Sequence, residues 1–167
     1  MRHIIGILLQ NESGALTRVA GLFSSRGYNI ESLSVSATDD PALSRITLVT
    51  HGSEAVVNQI VNQLHKLIDI VAVDDMTSDD HLERELALLK VRVKQAQRSA
   101  VKALVAQAGA TLLSDERDCL IFELAASETA ITALASKLSD QTELLEIVRS
   151  GALAMSRQDR ILHVVES

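Results

Sequence analysis

Aromatic residues are almost absent from this sequence: it has no tryptophan, and its 167 residues include one tyrosine and two phenylalanines. Proteins that hold single-stranded nucleic acid stack the bases on aromatic side chains, and this chain lacks such platforms. The net charge of −6 also disfavours nucleic acids and anionic membrane surfaces, because both attract basic patches. We therefore expect neither a nucleic acid nor a membrane as partner.

Cysteine is equally scarce, since Cys119 is the only one, and this excludes a disulfide within the chain. The five histidines show no metal-ligand spacing with one another or with Cys119. No apolar run approaches the ~18 residues of a membrane span, and the first residues lack the pattern of a signal peptide. These absences predict a protein of the reducing cytoplasm that has no metal centre.

The usual catalytic patterns are missing as well. No Ser-His-Asp order, phosphate loop or dinucleotide glycine pattern appears. The acidic pairs Asp39-Asp40, Asp74-Asp75 and Asp79-Asp80 fall in predicted turns or a linker, where solvated carboxylates suit general acid–base work poorly. An acylphosphatase would need an arginine in the loop after the first strand, where this chain has Asn11-Glu12-Ser13. None of these patterns therefore points to a catalytic site.

Strand and helix patterns alternate along the first half of the chain. Apolar runs and period-two alternation predict four strands, at residues 3–10, 33–38, 45–48 and 70–73. Helices are predicted after Ser13 and Ser53, which are good N-cap residues, and Gly27 suits the end of the first helix. The predicted buried stripe of that helix is Leu16, Val19, Ala20 and Phe23. The order β-α-β-β-α-β is that of a ferredoxin-like module.

The second half repeats this order after a polar segment, residues 74–85, which is the predicted domain boundary. Its strands are predicted at residues 86–93, 110–114, 119–124 and 144–155, with helices at 100–108 and after Ser127. A phase change at Leu88-Leu89 suggests a bulge. We therefore predict an α+β protein of two tandem βαββαβ modules, residues 1–78 and 79–160, followed by a tail at 161–167.

Both helices of such a module lie on one face of its sheet, and this leaves the other face and the strand edges uncovered. A second subunit is the expected cover. We therefore expect a homodimer in which the first modules of two chains pair with each other.

The loop before the first helix is the strongest candidate for a binding site. The first amides of that helix point into the loop, and a glycine at position 14 leaves them open to a small anion such as a carboxylate. Two nearby asparagines could accept hydrogen bonds from the ammonium group of the same ligand, although asparagine also forms ordinary turns, and spacing alone leaves both interpretations open. The candidate effector residues are Asn11, Gly14, Ala15, Leu16, Asn29 and Ile30.

These residues carry a resemblance to a known family. The segments 10–16, 21–24 and 26–33 resemble the N-terminal ACT domain of the small, regulatory subunit of acetolactate synthase (acetohydroxyacid synthase). The match continues through residues 38–41, 44–45 and 63–67. Residues 83–86, 149–151 and 156–157 resemble the start and end of the C-terminal domain of that family. The resemblance therefore extends over most of the chain.

The resemblance implies a non-catalytic chain without a cofactor of its own. Its partner would be the catalytic large subunit, which uses thiamine diphosphate, Mg²⁺ and FAD to condense two pyruvates, or pyruvate with 2-oxobutyrate. The small subunit would raise the activity of that partner and make it inhibitable by valine, with leucine or isoleucine as open alternatives.

In this family valine lies between two ACT domains. By resemblance, Asn11, Gly14, Ala15 and Leu16 would come from one chain, with Asn29 and Ile30 from the other. The alternative is a free-standing amino-acid-sensing ACT regulator, for instance of transcription, which the absence of a basic helix-turn-helix disfavours.

Overall fold

The computed structural model describes residues 1–158 and residue 162. The described chain divides into two compact units: Met1–Leu82 together with the described residues from Ala152 on, and Glu83–Gly151. We refer to them as unit 1 and unit 2. The tail predicted at residues 161–167 lies outside the described residues, apart from Leu162.

Unit 1 contains the first βαββαβ module. Its elements are β1 (Arg2–Gln10), α1 (Ala15–Ser25), β2 (Ile30–Ala37), β3 (Leu43–His51), α2 (Glu54–Leu64) and β4 (Ile70–Asp75). The strands form an antiparallel sheet in the order β2-β3-β1-β4, so β2 and β4 are its edges. This confirms the ferredoxin-like order predicted from the sequence.

The core of unit 1 lies between this sheet and its two helices. Every second residue of β1 faces the helices, as the period of a strand requires. The main core side chains are Ile5, Ile7 and Leu9 of β1, Val19, Leu22 and Phe23 of α1, Ile46 and Leu48 of β3, and Ile60 and Leu64 of α2. The ring of Tyr28 packs edge-on against Phe23, with 6.3 Å between the ring centroids.

The opposite face of the same sheet carries a smaller buried cluster, and the C-terminal segment of the chain contributes to it. Its members are Ile4, Val49, Met76, Ala152 and Ala154. Because this face is also covered, β1 is buried along almost its whole length rather than at alternate residues. The continuous apolar run of residues 3–10 therefore has a structural cause.

Unit 2 holds the second module, whose first strand begins inside unit 1. Its elements are β5 (His81–Arg92), a 3-10 turn (Gln95–Gln97), α3 (Arg98–Gln107), β6 (Thr111–Asp115), β7 (Cys119–Ala126), α4 (Glu128–Gln141) and β8 (Glu143–Arg149). The sheet order β6-β7-β5-β8 repeats that of the first module, and a last strand, β9 (Leu153–Ser156), follows in the part of the chain that belongs to unit 1. The two-module prediction is confirmed.

Local details of the sequence prediction need correction. The segment predicted as 144–155 is two strands, β8 and β9, and its last part lies in unit 1. The polar segment 74–85 is mostly strand, since β4 ends at Asp75 and β5 begins at His81. The bulge suggested at Leu88-Leu89 is wrong, because β5 pairs with β7 in continuous register there. Leu88 is simply an outward-facing apolar residue.

Candidate functional site

The loop between β1 and α1 has the backbone form that the sequence suggests, with a different residue at the helix start. Gly14 occupies the N-cap position with φ +88°, a left-handed conformation that glycine adopts without steric cost. The sequence predicts Ser13 as the cap, but within the described chain no side chain bonds to the helix start. The prediction is wrong because the left-handed residue directs the chain into the helix without a side-chain cap.

The amides at this helix start are largely unused. The Ala15 amide donates to Glu12 O at 3.2 Å, and the Arg18 amide donates to Gly14 O at 3.0 Å. Across the described part of the chain, no hydrogen bond engages the amides of Gly14, Leu16 or Thr17. Three amides at the start of this helix are therefore available to a ligand.

A guanidinium group lies beside this glycine. A Cβ on Gly14 would come within 3.0 Å of Arg18 Nη1. Arg18 Nη2 donates to Asp69 Oδ1 at 2.7 Å and Nε donates to Oδ2, so the carboxylate binds two of the three guanidinium nitrogens. Nη1 does not take part in these two bonds and lies beside the Cβ position of Gly14.

Asp69 fixes Arg18 in this position. Its carboxylate is 4% exposed, and its backbone oxygen accepts a bond from the Gln10 amide at 2.8 Å. The hydrogen bonds from Arg18 hold the pKa of the Asp69 carboxyl below its usual range, against a smaller opposing effect of burial. The same bonds raise the pKa of Arg18. The pair thus remains charged across the physiological pH range, and it ties α1 to the start of β4.

Asn11 shapes the other side of the loop. Its side-chain Nδ2 donates to Pro41 O at 3.0 Å, and its backbone amide donates to Ala42 O at 2.7 Å. These bonds join the β1–α1 loop to the β2–β3 turn. The acceptor oxygen of the same side chain is left for another group.

Asn29 and Ile30 lie at the entrance to β2. The backbone oxygen of Asn29 accepts a 2.6 Å hydrogen bond from the Thr50 hydroxyl, and the Asn29 side chain is exposed. Ile30 is half-buried against the core of unit 1. Leu16, which the helix stripe predicts to be buried, is 38% exposed and adjoins the free amides in sequence.

The two halves of the candidate site lie at opposite ends of the sheet. Gln10, just before the first half, pairs with Leu43, whereas Ile30 pairs with Thr50 at the other end of β3. Leu43 and Thr50 are seven positions apart, which at ~3.3 Å per residue is about 23 Å. A single amino acid cannot span that distance, so one chain does not bring the six candidate residues together.

The sequence analysis missed Arg18 and Asp69. Arg18 follows Gly14 by four residues, so a helical period places its side chain over the glycine loop, and this spacing could have identified it. No comparable signal points to Asp69, because its role depends on the turn before β4 lying against the end of β1.

Other kinds of site find little support. Within residues 1–158 and 162, no group of three metal-ligating side chains comes together, and no helix is long and apolar enough to span a bilayer.

A polar cleft of about 530 Å³ in unit 2 lies between the end of β5 and the end of α4. Arg92 and Glu143 bridge it with a 2.7 Å ion pair, and its lining mixes both charges. This cleft includes none of the six candidate residues.

Comparison with known proteins gives consistent matches over both halves of the chain. A family model described as the AHAS small subunit-like ACT domain matches residues 5–72. A second one, described as the small subunit of acetolactate synthase, matches residues 84–158.

Individual relatives are similar over almost their whole length. The acetolactate synthase isozyme 3 small subunit of Salmonella typhimurium is 43% identical over 97% of this chain and 99% of its own. The acetolactate synthase small subunit of Haemophilus influenzae is 42% identical over 96% of this chain and 98% of its own.

A solved structure agrees with them. The acetolactate synthase small subunit of Thermotoga maritima superposes with a TM-score of 0.86 at 31% identity, covering 96% of this chain and 99% of that one. The first half therefore has the ACT fold, and the second half has the fold of the C-terminal domain found in these small subunits. Sequence and structure together show that the chain belongs to the acetolactate synthase small-subunit family.

Proposed function

We propose that this chain is a regulatory subunit that binds the catalytic subunit of acetolactate synthase, raises its activity and makes it inhibitable by valine. The catalytic partner would condense two pyruvates to acetolactate and CO₂ with thiamine diphosphate, Mg²⁺ and FAD, in branched-chain amino acid biosynthesis. The observation that carries the proposal is the left-handed Gly14 at the helix start, with unused amides at positions 14, 16 and 17 and with Arg18 Nη1 beside its Cβ position.

The chemistry of this loop suits the carboxylate of a free amino acid. Unused amides at a helix N-terminus attract an anion, and Arg18 Nη1, beside the Cβ position of Gly14, adds a further hydrogen-bond donor while Asp69 balances the charge of the guanidinium. The ammonium group of the ligand needs acceptors instead. The side-chain oxygens of Asn11 and Asn29 supply them, and Leu16 and Ile30 offer aliphatic contact to a branched side chain.

A homodimer would assemble these groups into one site. β2 is an edge strand with an unpaired side, and two copies of β2 can pair antiparallel about a two-fold axis. Antiparallel pairing sets the end of β2 in one chain beside the start of β2 in its partner. The β1–α1 loop of one chain would then face the Asn29–Ile30 segment of the other, which removes the separation of about 23 Å within one chain.

Inhibition follows if the dimer arrangement that binds valine also lowers catalytic activity. Valine shifts the equilibrium only by its difference in affinity between the two arrangements. A coupling of ~1–3 kcal/mol changes an equilibrium about 5- to 150-fold, and this suffices for feedback control.

Reconstitution with a catalytic subunit tests the proposal. Gly14→Asp adds a carboxylate at the anion site, so we expect it to abolish inhibition by valine while activation of the catalytic subunit persists. Gly21→Asp is the matched control, because it adds the same charge to the same helix at a position where a Cβ meets no atom within 4 Å. Acetolactate formation is measured with and without valine. Unchanged inhibition of Gly14→Asp would contradict the site.

The same assay separates the proposal from a free-standing ACT regulator. That alternative predicts valine binding by the purified chain with no effect on the rate of any acetolactate synthase catalytic subunit. Repeating the titration with leucine and isoleucine identifies the preferred effector.

A further inference from the structure

The segment from Ala152 to Arg157, which we call the strap, crosses the outer face of the first sheet. Ala152 and Ala154 are 4% and 6% exposed and pack with Ile4, Val49 and Met76 on the face that the helices leave open. The intervening Leu153 is 57% exposed. The strap therefore buries its two alanines and leaves its large apolar side chains, Leu153 and the 63% exposed Met155, in solvent.

Polar bonds hold the strap along its length. The Ala152 amide donates to Ser32 Oγ at 3.0 Å, and Arg45 Nη2 donates to Ala154 O at 3.0 Å. At the far end the Arg157 amide donates to Asp80 O at 3.0 Å, and its guanidinium pairs with the Asp80 carboxylate at 3.2 Å. Bonds to three different segments of unit 1 define one register for the strap.

One of these bonds reaches β2, the strand whose start holds the candidate effector residues Asn29 and Ile30. Ser32 lies two residues after Ile30, and the pairing of β2 with β3 shifts register between these two residues. Ser32 pairs with Val49, which the strap covers. Within the described part of one chain β2 is an edge strand, so the chain's own sheet holds its start on one side only, through bonds such as that from Thr50 to Asn29. The strap is thus a second support for this irregular start.

We propose that the strap sets the position of the Asn29–Ile30 segment. Packing of the strap on the sheet and binding of the effector then stabilise each other. This inference rests on the proposed function, because the effector is the amino acid assigned there. By linkage, a ligand that binds more tightly when the strap is packed on the sheet must also make the strap harder to detach from the sheet.

The test compares two neighbouring substitutions in the full-length chain. Ala154→Asp places a carboxylate in the apolar cluster and should unseat the strap, whereas Leu153→Asp introduces the same carboxylate on the solvent side. If detachment of the strap leaves about a tenth of the molecules in the state that binds valine, the Kd for valine rises about tenfold. We expect that rise for Ala154→Asp by isothermal titration, with a change of less than about twofold for Leu153→Asp.

Hydrogen exchange in the peptide over residues 151–157 supplies an independent readout. Exchange should be faster in Ala154→Asp than in Leu153→Asp, and valine should slow it in the unmodified chain. If Ala154→Asp does not fold, Ser32→Ala removes only the acceptor of the Ala152 amide, with Ser36→Ala as its control on exposed β2. The expected weakening is then about twofold to tenfold, the range supported by one neutral hydrogen bond.

The outcomes distinguish failure of the strap coupling from failure of the effector assignment. A normal Kd in Ala154→Asp despite fast exchange of the strap would overturn the coupling and leave the effector site intact. No heat from valine with the unmodified chain would overturn the effector assignment, and the coupling with it. Equal exchange in Ala154→Asp and Leu153→Asp would show that the strap does not depend on its buried alanines, which would also overturn the coupling.

Discussion

Alanine at position 14 should destabilise unit 1, and alanine at position 21 of the same helix should stabilise it. Gly14 has φ +88°, where a Cβ costs about 1–2 kcal/mol, partly offset by ~0.4–1 kcal/mol from the stiffer unfolded chain. The new methyl also comes within 3.0 Å of Arg18 Nη1, the end of a flexible side chain that can move. We expect the free energy of unfolding to fall by about 1 kcal/mol.

Gly21 provides the opposite case. It lies inside α1, and a Cβ there meets no atom within 4 Å. Replacing a helix-interior glycine with alanine typically stabilises by about 0.5–1 kcal/mol. The two single-methyl variants should therefore differ by about 1.5–2 kcal/mol in the free energy of unfolding.

The chain carries its own probe for this measurement. It has no tryptophan and one tyrosine, Tyr28, whose ring packs against Phe23 at the end of the same helix. Urea unfolding followed by tyrosine fluorescence therefore reports on unit 1. At a slope of ~1–3 kcal/mol/M, 1 kcal/mol moves the midpoint by about 0.3–1 M. Equal shifts in the same direction for both variants would refute the backbone argument.

The ion pair and the helix caps give two further predictions. Because Arg18 lowers the pKa of Asp69 in the folded chain, this pair contributes stability that is present above pH 3.8, the ordinary value, and lost as the pH falls through the lower folded value. Asp69→Asn should therefore make the free energy of unfolding fall less steeply as the pH drops below about 4. The same dependence on pH in urea unfolding of the variant and the unmodified chain would contradict this. Ser53→Ala should lower the free energy of unfolding by about 1 kcal/mol, since its hydroxyl accepts from the Val56 amide, whereas Ser13→Ala should leave it within about 0.5 kcal/mol. Equal losses in thermal unfolding would argue against this difference in capping.

Most of the fold could be predicted because the local signals and the topology agree. Ser53 and Ser127 cap α2 and α4 as expected, and Gly27 and Gly109 follow helix ends with positive φ. The alternation in β2 and the continuous run in β1 predicted two strands, which lie at the edge and inside the sheet, respectively. Strand order then follows from the short connections of a βαββαβ module.

The prediction errors in α1 occur where the conformation of one residue changes the burial of the residues that follow it. Serine at position 13 looks like a cap, but Gly14 takes a left-handed conformation and begins the helix itself. The helix is thereby rotated so that Ala15 is buried and Leu16 is exposed. A period count cannot detect this rotation, because both residues are apolar.

The candidate site was predicted in part for a similar reason. Gly14 could be singled out from the loop-to-helix pattern, and the structure gives it the left-handed backbone conformation that favours glycine. The partner of Arg18 is 51 residues away in sequence, and the strap pairs Ala152 with Ser32 across 120 residues. A local pattern holds no information on contacts of that range, and alanine-rich alternation predicts a strand without saying which sheet it covers.

The route of the strap also affects how the protein is made. Ribosomes add ~5–20 residues per second, so about 4–15 s separate the synthesis of Leu82 from that of Gln158. During this interval the first sheet has its helices but not its outer cover, and Ile4, Val49 and Met76 are open to water or to a neighbouring nascent chain. Slow codons or a stalled ribosome in the second half would lengthen that exposure, so the translation speed of a distant region bears on aggregation of the first sheet.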